Sequence, residues 1–182
     1  MKLVLYRDNG EVLEVIEDCG EVTYNRETRR LRYRGGEFWP FEGRYAVLDD
    51  DEDVGEALLE YHKKDKINEL NEACEATILA GFYCEANGHY YEFKVYDQLN
   101  FTQQYLLLIS NPDFTGPIRW KTEDAGVVEH TREEFMTVCQ TAELHKRGNI
   151  EKYWDLKAQV ENATTFEDVN AIQWDPWTPN GQ

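Results

Sequence analysis

The side chains best able to bind a metal or attack a substrate are four histidines and four cysteines: His62, His89, His130 and His145, with Cys19, Cys74, Cys84 and Cys139. A zinc site usually presents at least one pair of ligands close in sequence, because a single turn or hairpin then offers two donors to the ion. None of these eight residues forms such a pair. The cysteines read as buried or idle thiols of a reducing compartment. Two carboxylates could act as an acid–base pair on a cell-wall polymer, but a chain with 36 acids singles out none of them. The sequence contains no Gly-rich phosphate loop, nucleophile elbow or HExxH motif. No catalytic residue, cofactor or metal ligand is expected, and the chain reads as a non-enzyme.

Other residues point to contact rather than reaction. Arg26, Arg29, Arg30, Arg32 and Arg34 are five of the ten arginines, gathered within nine positions. They either pair with the chain's own acids on a solvated hairpin or dock onto an acidic surface of a partner or second copy. His145 and Asn149 interrupt an apolar helical stripe of Phe135, Val138, Cys139, Ala142, Tyr153, Leu156 and Val160. Gly148 beside them costs a helix interior about 1 kcal/mol against Ala. The polar pair is either satisfied locally or marks a subunit contact or close backbone approach. Trp174 and Trp177 lie in a Pro-containing tail with no evident core of their own, and are expected to pack on a neighbour. Other aromatics cluster at His89-Tyr90-Tyr91-Glu92-Phe93 and Phe38-Trp39-Pro40-Phe41. Such residues serve cores and cross-strand pairs, but also interfaces and sugar stacking, so a cell-surface polysaccharide stays open as a ligand.

The elements that must position these residues follow from periodicity and turn signals. Residues 1–55 read as a β module: Lys2 to Tyr6 and Val12 to Ile16 flank Asp8-Asn9-Gly10, a hairpin signal. A second pair flanks Asn25-Arg26-Glu27-Thr28, and one segment from Phe38 to Leu48 closes a small sheet or barrel of four or five strands. The acidic run Asp49-Asp50-Asp51-Glu52-Asp53 reads as a solvated linker or turn and sets the boundary. Residues 56–174 read as helices alternating with hairpins. A first helix carries Leu59, Ile67, Leu70, Cys74, Thr77 and Ile78, with Gly81 placed to end it. Asn87-Gly88 marks one hairpin and Glu123-Asp124-Ala125-Gly126 another. Asp97 caps a helix running to Ser110, and Thr131-Arg132-Glu133-Glu134 forms a capping box for a long helix towards Glu161. Thr165 to Asp168 caps a short last helix, and residues 175–182 form an irregular tail. The expected fold class is α+β.

Length and charge bound the function. At 182 residues and a net charge of −17, the chain is long enough for its own core. It is also too acidic for bulk binding to nucleic acid or anionic lipid. The longest apolar run, Tyr105 to Ile109, is far short of a membrane span. Met1 to Arg7 has neither the apolar stretch nor the cleavage site of a signal peptide, so soluble synthesis is expected.

Across residues 66–174 the order of phrases resembles a known family. The phrases are Ile67 to Cys74, Gly81-Phe82, Tyr91-Glu92-Phe93, Asp97-Gln98-Leu99-Asn100, Trp120-Lys121, Thr131 to Phe135 and His145 to Ile150. The family is a domain of unknown function found in tail-fibre and baseplate-region proteins of tailed bacteriophages and prophages. The resemblance implies location and role and carries no catalytic residues. It implies a non-enzymatic tail component, at the baseplate or tail fibre, that contacts other phage tail proteins and forms a homo-oligomer in the virion tail. A tail-fibre assembly chaperone absent from the particle, and an acidic phage protein that binds a host factor, are the alternatives.

Overall fold

The computed structural model describes residues 1–178. The fold is α+β: among the described residues, ten strands form four small antiparallel sheets, and four helices follow or separate them. Two compact units emerge. One combines residues 1–68 with 158–173, and the other combines 69–157 with 174–178 of the described residues. The sequence draws its line at residue 55, whereas these units divide within two long helices.

The first unit is organised by β1 (Lys2–Tyr6), the middle strand of a sheet ordered β2 (Val12–Ile16), β1, β6 (Arg44–Leu48). Because side chains alternate across a strand, Leu3 and Leu5 enter one core with Cys19, Leu31 and Phe41. Val4 and Tyr6 enter another with Ala46, Leu48 and Leu58. A strand buried on both faces must be apolar throughout, and even Lys2 is buried, its Nζ donating to the Asp50 and Glu52 carbonyls. The acidic run is therefore a clamp as well as a turn, and Asp53 also accepts the Glu56 N–H at the start of α1 (Val54–Leu79).

The second sheet is β3 (Thr23–Asn25), β4 (Arg30–Tyr33), β5 (Gly36–Phe38). The segment from Phe38 to Leu48, expected to close the sheet, is shared between two strands, β5 and β6. Pro40 has no N–H for a ladder, and the chain turns there, so β5 pairs with β4 and β6 with β1. The helical stripe of α1 begins one residue earlier than expected, with Leu58 and His62 buried and Leu59 half-buried. His62 Nε2 meets Asn170 Oδ1 at 2.9 Å, and its ring lies 5.0 Å from that of Phe166 on α4 (Phe166–Ala171).

The second unit packs two hairpins and α2 (Val95–Ser110) around the core-facing side of α3 (Arg132–Asn162). The hairpins are β7 (Phe82–Cys84) with β8 (His89–Tyr91), and β9 (Ile118–Thr122) with β10 (Gly126–His130). Gly81, at φ +94°, ends α1 as expected, and a Cβ there would run into the Tyr91 carbonyl. One buried chain of hydrogen bonds ties the hairpins together. Asn87 Nδ2 donates to the Tyr91 hydroxyl at 2.6 Å, that hydroxyl meets His130 Nε2 at 2.7 Å, and His130 Nδ1 meets the Ile118 carbonyl at 3.2 Å. The capping box forms as expected: Thr131 N–H donates to Glu134 and Glu134 N–H donates to the Thr131 hydroxyl. Asp97 works from inside its helix, accepting the Lys94 N–H at 3.0 Å.

Candidate functional site

Four of the nine candidate residues come together in the second unit. Asn149 is fully buried on α3 and uses both ends of its amide. Its Nδ2 donates to the His145 carbonyl at 2.8 Å, and its Oδ1 accepts the backbone N–H of Trp177 at 3.0 Å. The indole of Trp177 lies on Gly148, so closely that a Cβ at that position would overlap the ring. Trp174 donates its indole N–H to Thr77 on α1 at 2.9 Å and packs against the core. The helix-weakening glycine, the polar interruption and the Trp tail are therefore one feature, a clasp of the chain's late residues on its own helix. Trp174 was expected to lack a core within its chain, yet it joins one. Proline and a lack of periodicity hide such packing, because a tail without regular structure gives no pattern to match. Residues 179–182 of the expected irregular tail lie outside the described residues.

His145 sits half-buried beside the clasp, its ring 6.0 Å from Phe82 and 6.1 Å from Phe93. Burial pushes its pKa below the usual histidine value, opposed by the carbonyl groups of Ile78 and Thr77. Its Nε2 is buried with no hydrogen-bond partner among the described residues. A cationic imidazolium is costly there, so the neutral ring is the form that fits.

The arginine hairpin is largely paired within the chain. Arg29 meets Glu42 at 2.7 Å, Arg34 meets Asp18 at 2.9 Å, and Arg32 and Arg30 converge on Glu37 at 3.2 and 3.8 Å. Arg30 also lies over the Trp39 ring, 5.4 Å from its centroid, and Arg26 occupies the β3–β4 turn. Exposed pairs of this kind contribute little to stability, but they cancel much of the local positive charge. The aromatic clusters divide between core and surface: Tyr91 and Phe93 are core while Tyr90 lies outside, tilted against Tyr83, and Phe41 is core while Trp39 is exposed.

The groups considered for reaction are dispersed. All four cysteines are free and buried, and burial pushes the Cys139 thiol up to about 12. Among the described residues no three His, Cys, Asp or Glu side chains stand together as a metal site. Glu92 and Glu123 meet carboxyl to carboxyl on the surface. Their shared hydrogen bond raises Glu123 and lowers Glu92, the latter with help from Lys94.

A surface not singled out from the sequence lies on α2. Phe101 and Leu108 face the core, yet Val95, Tyr96, Leu99, Leu106 and Ile109 are all exposed. Beside the stripe, α2 and α3 border an open groove of about 540 Å³ lined by Phe93, Tyr105, Cys139 and Leu144, with Lys146 bonded to Gln98 at 2.7 Å on its rim. The signal was present as an apolar set at spacings of four and three within a helix bearing one ionised side chain, Asp97. No helix among the described residues is long and apolar enough to cross a membrane.

An α+β chain with three small cores, a tail clasp and an apolar outward helix face defines a class by fold but not by chemistry. Residues 61–173 match the family described as Domain of unknown function (DUF4376), and the chain belongs to it. No curated protein and no solved structure shows detectable similarity to the chain.

Proposed function

We propose that this chain is a non-enzymatic component of a bacteriophage tail, at the baseplate or tail fibre, acting through protein–protein contacts. The observation that carries the contact role is the outward face of α2. A contiguous apolar patch left in solvent marks an interaction surface, and this helix leaves six large apolar side chains exposed, Val95, Tyr96, Leu99, Leu106, Leu107 and Ile109. The tail itself enters through the resemblance across residues 66–174, which overlaps the family match over residues 66–173. The acidic charge and the internally paired arginines fit a partner of protein rather than nucleic acid.

The test is mass spectrometry of salt-washed phage particles, with copy number set against the major tail protein. A small fixed number per particle is the expected result. Presence in infected lysate but absence from particles would overturn the structural role and leave the assembly chaperone or host-directed factor.

A further inference from the structure

We infer that the exposed face of α2 is a self-association seam, and that its occupant is the same face of a second copy of this chain. This rests on reading α2 as a contact surface, but not on the tail assignment.

The pattern is that of a helix–helix seam. Val95, Leu99, Thr102, Leu106 and Ile109 recur at spacings of 4, 3, 4 and 3, the repeat that keeps one stripe facing a partner helix over two heptads. Val95 is 70% exposed, Leu99 51%, Leu106 53% and Ile109 47%, and Leu144 on α3 extends the patch across Thr102 at 53%. A free helix of this length is marginal in water. This one is already fixed to its core by Phe101 and Leu108, so pairing requires no helix formation.

Area and charge choose the occupant. With Tyr96, the exposed portions of these side chains amount to roughly 600 Å², at the top of what a monomer usually leaves bare and close to the approximately 800 Å² per partner of a stable interface. The chain carries −17 overall, so two copies repel across most of their surfaces. The seam escapes this, because the only ionised side chain of α2 is Asp97, at the helix start. Flanking positions are amides, Gln98 and Gln103, which can donate and accept against identical partners. The groove rim on α3 offers Glu143 and Lys146, which sum to zero. A strongly basic partner would gain nothing from this uncharged face, whereas a like-charged copy needs it. A two-fold axis near Thr102, the middle of the stripe, brings each half of the seam against the other half of its mate.

The test is sedimentation of the full chain from about 1 to about 100 μM, beside a Leu99→Gln/Leu106→Gln variant that keeps the charge unchanged. The wild type should pass from the 21.4 kDa monomer to twice that mass. The variant should lose at least tenfold in association while keeping its circular dichroism and melting temperature. A Thr102→Cys variant should form a covalent dimer on mild oxidation. A wild type that stays monomeric, or a dimer untouched by the glutamines, would overturn the inference. So would a Thr102 position that cross-links only to another polypeptide in particles, which would assign the face to that protein. A chain that self-pairs but is absent from particles would leave this inference standing and remove the tail reading.

Discussion

At the scale of residues, Gly148 is explained by what lies on it. An alanine there would gain about 1 kcal/mol of helix propensity but would displace the Trp177 ring. We therefore expect Gly148→Ala to be neutral or destabilising in the wild type and stabilising by about 1 kcal/mol once Trp177→Ala has vacated the space. A double-mutant cycle by chemical denaturation reads that change of sign, and equal effects in both backgrounds would refute the clasp. His145 supplies a pH dependence. Burial lowers its pKa from 6.5, so the unfolded chain binds more protons than the folded one below that value. Its neutral-pH stability is intact above pH 6.5 and is lost progressively as pH falls towards the folded pKa. Melting temperature should drop more steeply in that window for the wild type than for His145→Gln, and coincident slopes would mean a solvated ring. The polar interruption at His145 and Asn149 was legible because it broke a regular stripe. Its partner was not, because Trp177 is 28 positions away in a segment without periodicity.

At the scale of elements, local signals carried most of the fold. Helix caps and Asn-Gly turns act over three or four residues, so a sequence displays them whole. The Thr131–Glu134 box satisfies two amide donors that the helix itself cannot. Thr131→Ala should cost about 1 kcal/mol, measurable as an earlier denaturation midpoint with an unchanged slope; a shift below 0.3 kcal/mol would mean that water replaces the cap. The division of Phe38 to Leu48 into β5 and β6 was less legible. Only the choice of pairing partner, β4 or β1, separates them, and that choice is made by cores assembled from distant residues. The outward stripe of α2 was written in the sequence as plainly as any cap. Periodicity shows that a face is apolar, but exposure depends on which face the core takes first.

At the scale of the whole molecule, neither unit is continuous in sequence. The first needs Phe166 and Asn170 from α4 against Tyr6, His62 and Asp8, and the second needs Trp174 and Trp177 against α1 and α3. A break in composition at residue 55 is visible in sequence, but which late segment completes which core is not, since complementarity of shape leaves no local trace. A chain ending at Gln173 should keep both sets of hairpins but lose several degrees of melting temperature, because it leaves Asn149 Oδ1 and the Thr77 hydroxyl without these partners. A full loss of cooperative melting would show that the clasp holds the unit rather than trims it. The same wiring sets an order in time. Synthesis proceeds at about 5–20 residues per second, and the last pieces of both units are made more than a hundred residues after β1. During that interval β1 waits for Phe166, and the Asn149 amide, made much later, waits for Trp177. The last contacts of both units form only after nearly all of the chain described here has been made, so Phe166 and Trp174 complete packing that earlier residues begin, and a chain stopped before residue 166 should fold with both units less stable.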